Sequence, residues 1–509
     1  MKKNKGVKEL VLLGVLVFIV SFLLNSARWF LNTWDKIDFA TVVYQLSTPL
    51  QGTNSEVIYD FIIKVLSSTV LMVVIGICAY LFVKTFFERI CIEISIKICR
   101  FNYLIELGNN AIVKAKITFW FIFVIYAVGA MGSKVKELGI DTYVKSLFDK
   151  STIFEEYYVS PENVEIEFPE QKRNLICIYL ESMETTYASK ELGGGKNNNY
   201  IPELVNLANE NVNISNTLLF GGGYSCALTD WTMAAILATT SGVPYKIPGD
   251  KNAGGRYSEM LPGIVSFGDI LLENGYKNYF MCGSDIEFGG RDIYLKSHGD
   301  YKLLDYYYAL ENGKVEGYTF WGYDDEKLYE LAKEELESIA NKGELFNYTM
   351  LTVDTHQPSG YICELCEEKY DEQYANAIAC SSKQAYNFIK WIQEQDWYEN
   401  TTIIVLGDHN SMVADFWDDI GEYDRRIYNC FINLPENVNK RNIKNREFTT
   451  LDIFPTMIAA LGAKIEGEQL GLGVNLFSEK KTLMERLGQD VLDSEIFKYS
   501  DYYNEYFVK

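Results

Sequence analysis

Gly407-Asp408-His409 closes the apolar run Thr402-Ile403-Ile404-Val405-Leu406. A buried strand that stops on an Asp-His pair sets two metal-ligand types at the edge of a sheet. Two other segments carry matching chemistry. Ile176-Cys177-Ile178-Tyr179-Leu180 is an apolar run ending on Glu181, and Thr229-Asp230-Trp231-Thr232 follows the glycines Gly221, Gly222 and Gly223 and opens a helical pattern. Glu181, Asp408, His409 and a threonine hydroxyl would supply four ligands to one divalent cation. The mixture suits Mn²⁺ or Zn²⁺ better than Mg²⁺ because of the imidazole, and Mn²⁺ is the expected ion. Metal-assisted phosphoryl transfer needs such a set.

Thr229 is the candidate nucleophile and fourth ligand. A bound metal lowers the pKa of a hydroxyl, and a helix N-terminus favours negative charge on it and on an incoming phosphate. Local sequence alone also allows a plain N-cap threonine, and Thr232 competes with Thr229. Only three histidines occur: His298, His356 and His409. His356, in Asp354-Thr355-His356, lies just past an apolar run and is a second candidate for the site, with a strand-end cap as the alternative. Arg291, in Phe288-Gly289-Gly290-Arg291-Asp292, is a candidate phosphate clamp, because a guanidinium forks onto two oxygens. The alternative is a surface arginine paired with a carboxylate.

The elements that must hold these residues follow from pattern. Strands are expected at 175–180, 277–282, 347–353, 402–406 and 429–434, and helices at 202–208, 231–239, 325–340, 373–394 and 451–461. Such alternation implies an α/β domain with a mainly parallel central sheet and helices on both faces. In open sheets of this kind ligands bind at the carboxyl ends of strands, where Glu181, Asp354, His356, Asp408 and His409 all fall.

Three apolar runs, 10–27, 65–83 and 117–131, precede that domain in the 509-residue chain. They read as about three transmembrane helices; no small-residue cleavage site follows the first, which argues against a signal peptide. The expected organisation is a membrane region at 1–132, a juxtamembrane linker at 133–172 and an exterior catalytic domain at 173–509. Residues 84–116, mixing bases with aromatics, suit a helix lying at the cytoplasmic interface. Residues 1–150 hold 17 Lys and Arg against 11 Asp and Glu, leaving 30 against 58 in the remainder, and the whole chain carries −22. Positive flanks mark the cytoplasmic side, so the N-terminus and 84–116 are expected inside, with residues 33–56 and the acidic bulk outside. That acidity argues against nucleic acid as a partner. Cys363, Cys366 and Cys380 crowd one exterior stretch, where disulfides persist; one bridge is expected, Cys366–Cys380 over Cys363–Cys380. Cys78, Cys91 and Cys99 are expected to be free.

Segments 174–182, 229–244, 346–358, 402–409 and 449–462 resemble the sulfatase-like branch of the alkaline phosphatase superfamily, and within it the membrane phosphoglycerol transferases: lipoteichoic acid synthases and glucan-modifying phosphoglycerol transferases. Thr352-Val353-Asp354-Thr355-His356-Gln357-Pro358, and Thr229-Asp230-Trp231-Thr232 followed by Ser241-Gly242-Val243-Pro244, look nearer to the glucan-modifying group. The resemblance covers roughly residues 174–477. It implies that Glu181, Thr229, Asp408 and His409 hold the metal and that Thr229 is the nucleophile, since the spacing to Gly242 and Pro244 favours Thr229 over Thr232. It implies that His356 contacts the phosphoglycerol and that Arg291 binds substrate, although an aromatic two positions before that arginine in some members is Gly289 here, with Phe288 beside it. No Cys or Ser followed by Pro and Arg, the formylglycine signal of true sulfatases, occurs. The expected activity is transfer of phosphoglycerol from a phospholipid, phosphatidylglycerol, to a cell-envelope glycan or teichoic acid, through a covalent threonine ester and outside the cell membrane. A phosphoethanolamine transferase of the same fold is the first alternative. A non-catalytic membrane protein that binds glycan or polyglycerolphosphate is the second.

Overall fold

The computed structural model describes residues 2–34, 39, 42–43, 55–89, 92–98, 101–107, 109–246 and 259–508. Most of the expected exterior stretch 33–56, together with Cys91 and Cys99, lies outside the described residues. Residues in Met1–Phe39 and Ser55–Thr142 form one compact unit and those in Tyr143–Lys509 another.

The first unit is built from α1 (Lys2–Thr33), α2 (Ser55–Arg89), the antiparallel strands β1 (Ile92–Ile98) and β2 (Phe101–Leu107), and α3 (Asn109–Glu137). Val7–Thr33, Val57–Phe86 and Val113–Glu137 are long and apolar enough to cross a membrane. The helices meet through Leu13, Val17 and Tyr80. A Cβ at Gly76 would lie 3.3 Å from Val17, so the glycine lets α1 and α2 approach. The hairpin corrects the expectation of an interfacial helix over 84–116. Ile92-Glu93-Ile94-Ser95-Ile96-Lys97-Ile98 alternates with period two and is β-branched at every other position, a strand signal that outweighs the basic-aromatic composition.

In the second unit, β3 (Asn174–Leu180), α4 (Pro202–Glu210), α5 (Thr232–Ser241), β4 (Lys277–Cys282), α6 (Arg291–Ser297), β5 (Lys302–Leu304), α7 (Asp325–Ala340), β6 (Phe346–Leu351), α8 (Gln373–Gln393), β7 (Thr401–Gly407), β8 (Asn429–Ile432) and α9 (Ile453–Ala460) frame the site. The six-stranded sheet runs β5-β4-β6-β3-β7-β8. Its pairs are parallel except β7–β8. One apolar cluster, including Leu175, Cys177, Tyr179, Ile404 and Leu406, lies with α5 and α9. The other, including Ile176, Ile178, Ile403 and Val405, lies with α4, α7 and α8. Alternate residues of β3 and β7 thus serve opposite faces, which is why both strands read as continuous apolar runs. Within 143–172, Ile153 and Phe154 are buried, and Phe154 packs edge-on against Tyr503 and Phe507.

Candidate active site

β3 and β7 pair in parallel with Leu180 opposite Gly407. The next residues, Glu181 and Asp408, therefore leave the sheet side by side. A Cβ at Gly407 would sit 1.8 Å from the Met183 carbonyl oxygen; only glycine lets the two loops touch. Ser182 takes φ 53°, an uncommon conformation for a non-glycine residue and one that clusters at functional sites. The main-chain N–H groups of Ser182 and His409 donate to Asp408 Oδ1 at 2.7 and 2.8 Å, which fixes that carboxylate.

Ligand atoms of Glu181, Asp408 and His409 all lie within 4.8 Å of one another, and all three residues are buried. His409 Nε2 is 3.4 Å from Glu181 Oε1 and 3.4 Å from Asp408 Oδ2. Asp408 Oδ2 has no hydrogen-bond partner. His409 Nδ1 lies 2.8 Å from the Asn410 carbonyl oxygen, so in the neutral ring Nδ1 carries the proton and Nε2 presents a lone pair. A lone pair facing two carboxylates demands a cation between them. A proton can fill that place: burial opposes charge on His409, but Asp408 and then Glu181 push the imidazole up to about 10. Burial and then the Glu181 charge push Asp408 up. Burial also opposes the charge on Glu181, yet His356 and His409 hold it below the usual carboxylate range. Anionic oxygens with one imidazole nitrogen fit a divalent cation.

The threonine in reach is Thr232, not Thr229. Thr232 Oγ1 donates to Glu181 Oε2 at 3.2 Å and lies 3.4 Å from His409 Nε2. It is the first residue of α5, after an extended Trp231 at the N-cap. Thr229 is fully buried elsewhere: its hydroxyl donates to the Cys226 carbonyl at 2.7 Å and accepts from Thr450 at 2.9 Å. The expectation that Thr229 joins the metal ligands is thereby corrected. The turn Cys226–Thr229, closed by the Thr229 N–H on the Cys226 carbonyl at 3.1 Å, aims its hydroxyl at Thr450 in the turn before α9.

Glu181 and Thr232 line a pocket whose other walls include Arg291, Ser284, Trp321 and His356. Arg291 opens α6. Its Nε donates to the Phe288 carbonyl at 3.1 Å, and its Nη2 donates to Ser284 Oγ at 3.0 Å and to the Asp285 carbonyl at 2.6 Å. Nη1 makes none of these bonds. His356 lies past β6, with Nδ1 3.0 Å from the Gln357 carbonyl oxygen. Burial pushes its pKa down, against the Glu181 charge, which raises it. Trp321 packs on it with ring centroids 4.3 Å apart. Sequence reasoning missed Trp321, which no local pattern marks. Gly289 takes φ 70°, and a Cβ there would press to 3.2 Å on Trp231, so the chain has no room for an aromatic at that position.

The sulfatase family model matches residues 173–463, more than half of the chain. The chain belongs to the sulfatase family. Phosphoglycerol transferase I of Escherichia fergusonii is 34% identical to this sulfatase-family chain over 346 residues, which is 64% of this chain and 43% of that protein. The same-named protein of Salmonella typhimurium is 33% identical over 346 residues, with the same shares. The chain thus spans less than half the length of the curated relatives it matches. Among solved structures, the integral membrane protein lipooligosaccharide phosphoethanolamine transferase A from Neisseria meningitidis aligns with 89% of this chain and 84% of its own, at 12% identity and a TM-score of 0.50. That likeness shows a shared fold.

Proposed function

We propose that this chain is a membrane-anchored transferase that moves phosphoglycerol from a phospholipid, phosphatidylglycerol, to a glycan or teichoic acid of the cell envelope. The observation that carries the reading is the Thr232 hydroxyl at the start of α5, within the Glu181–Asp408–His409 cluster and facing the pocket of Arg291 and His356. The names of the 33–34% identical relatives support the phosphoglycerol head group. Glu181, Asp408, His409 and Thr232 would hold one divalent cation, Mn²⁺ foremost, which when bound supplies Lewis-acid charge neutralisation and lowers the pKa of a hydroxyl.

Thr232 Oγ1 attacks the donor phosphorus. The bond from phosphorus to the diacylglycerol oxygen breaks, the Thr232 proton passes to solvent, the departing oxygen takes one up from solvent, and diacylglycerol and a Thr232–phosphoglycerol ester result. An acceptor hydroxyl then attacks that ester and frees Thr232. Arg291 is held by Nε and Nη2, which turns Nη1 to a phosphate oxygen. His356, neutral and with Nδ1 engaged by the Gln357 carbonyl, keeps Nε2 as the atom that takes the acceptor's proton. The three apolar helices keep the site near the lipid donor, and the acidic unit works outside the membrane with the N-terminus inside.

The test is intact-mass spectrometry of the full-length protein in micelles with Mn²⁺ and phosphatidylglycerol. Wild type and Thr229→Ala are expected to gain one phosphoglycerol unit, and Thr232→Ala none, with turnover lowered on the order of 10³-fold or more. An adduct that survives in Thr232→Ala but is lost in Thr229→Ala would return the nucleophile to Thr229. An adduct formed only from phosphatidylethanolamine would move the head group to phosphoethanolamine.

A further inference from the structure

Cys363-Glu364-Leu365-Cys366 is a Cys-x-x-Cys pair, a spacing at which two sulfurs can bond to each other and which recurs in thiol–disulfide exchange. Here Cys366 is bonded instead to Cys380 on α8. Cys363 is a free, buried thiol. Its Sγ lies 3.5 Å from Cys366 Sγ and 4.0 Å from Cys380 Sγ, so the free thiol touches the disulfide from the side and has to swing into line with the Cys366–Cys380 bond to attack it. Gln384, one turn beyond Cys380 on α8, places Nε2 3.6 Å from Cys363 Sγ and 3.5 Å from Cys380 Sγ. One carboxamide thus offers its two N–H donors to both the attacking and the leaving sulfur, and spares the central one. Neither the metal site nor the pocket uses any of these groups.

We infer that Cys363, Cys366 and Cys380 form a thiol–disulfide exchange site, in which Cys363 takes Cys366 away from Cys380. Cys363 gives its proton to solvent base and its thiolate attacks Cys366 Sγ. The Cys363–Cys366 bond forms, the Cys366–Cys380 bond breaks, and Cys380 leaves as a thiolate that takes up a proton. No net electrons move, so neither oxidant nor reductant is consumed. Burial, and beyond it the carboxylates of Asp354 and Glu326, push the Cys363 thiol up to about 12, which makes the step slow near neutral pH. The consequence is positional. The segment from His356 to α8 is tied covalently to that helix before exchange and not after it. Its remaining ties are non-covalent: Gln373 Nε2 on the Gly360 carbonyl at 2.8 Å, Asn376 Oδ1 accepting from Lys369 and Tyr370 at 2.9 and 2.8 Å, the Lys383–Glu367 ion pair at 2.7 Å, and the rings of Tyr370 on Tyr200 and Tyr361 on Phe320. Exchange therefore loosens the loop that presents His356 without touching the metal ligands.

The experiment reads sulfur connectivity and needs no catalysis, so its failure is separable from failure of the transferase reading. Full-length protein in micelles, free of added thiol, is held at pH 8.5, alkylated with iodoacetamide at intervals over hours, quenched in acid, digested without reduction and mapped by mass spectrometry. The expected result is label on Cys363 at the start, then growing label on Cys380 together with a Cys363–Cys366 linked peptide. Cys363→Ser should show no label on Cys380, and Gln384→Leu should slow its appearance several-fold. The buried thiols Cys177, Cys226, Cys282 and Cys430 serve as the internal check on folding and should stay unlabelled. Label confined to Cys363 with only Cys366–Cys380 linked at all times would overturn the proposal. So would Cys380 label in Cys363→Ser. Label on Cys366 with a Cys363–Cys380 link would overturn Cys366 as the sulfur attacked.

Discussion

Asp354 is buried with no hydrogen-bond partner for either carboxylate oxygen. Asp325, the first residue of α7 and fully buried, accepts from the main-chain N–H groups of Val353 and Asp354 at 2.7 and 3.0 Å. The Asp325 carboxyl ties the start of α7 to the loop that carries His356. Burial raises both pKa values, and the Asp325 charge raises Asp354 further. A raised carboxyl keeps its proton in the folded state at pH values where the unfolded chain has lost it. Stability from this pair is therefore fully present below about pH 4 and is lost as pH rises beyond the ordinary carboxylate range. Asp354→Asn should flatten that fall: between pH 5 and pH 8 the melting temperature of the full-length protein should drop by at least about 2 °C less than in wild type. Equal drops in the two proteins would show that the pair sheds its proton at no cost. At this scale the strand-end positions of Glu181, Asp408, His409 and His356 were legible, because a polar residue that ends an apolar strand has few structural reasons to be there. The choice between Thr229 and Thr232 was not. Both flank one helix start, and what separates them is the hydroxyl of Thr450, 221 residues further along the chain.

The parallel register of β3 and β7 turns two separate strand ends into one site. Leu180 pairs with Gly407, and the bare Cα of Gly407 accommodates the Met183 carbonyl oxygen. Gly407→Ala should push the two strand ends apart, at a stability cost of about 1–3 kcal/mol. The displaced Asp408 should then fail to retain Mn²⁺ on desalting, as measured by metal content against wild type. Retention at the wild-type level would mean that the end of β7 can shift without moving its carboxylate. The main strands and helices of the sheet unit were readable, since apolar runs of strand length alternate with helical periodicity. The short edge strand β5, three residues long, was not, because so short a segment carries no period. The β1–β2 hairpin shows in the sequence only as period-two alternation, while its basic and aromatic composition points to an interfacial helix.

For the whole molecule, charge and hydropathy are the basis of the orientation proposed for the membrane. Residues 1–150 are net basic and the remainder strongly acidic, and three helices are long and apolar enough to cross a bilayer. The basic flanks lead us to propose that the N-terminus lies inside and the acidic unit outside; protease added to sealed right-side-out vesicles should then remove a tag at the C-terminus and spare one at the N-terminus. Loss of the N-terminal tag from intact vesicles would reverse the orientation. For the lipid donor proposed, tethering would also raise its effective concentration at the site, a use for the apolar helices beyond anchorage.

The sequence by itself determined the α/β class, the three apolar helices, the strand-end carboxylates and histidines, and the Cys366–Cys380 bridge. All of these rest on local pattern, on residue scarcity or on resemblance along continuous segments. Only the tertiary structure decided which threonine meets the carboxylates, that Trp321 backs His356, and that the third cysteine touches the disulfide. Each of those facts depends on strand register and on loops brought together from distant parts of the chain. Register and loop closure are set by packing of the whole sheet unit, and no local window of the sequence carries them.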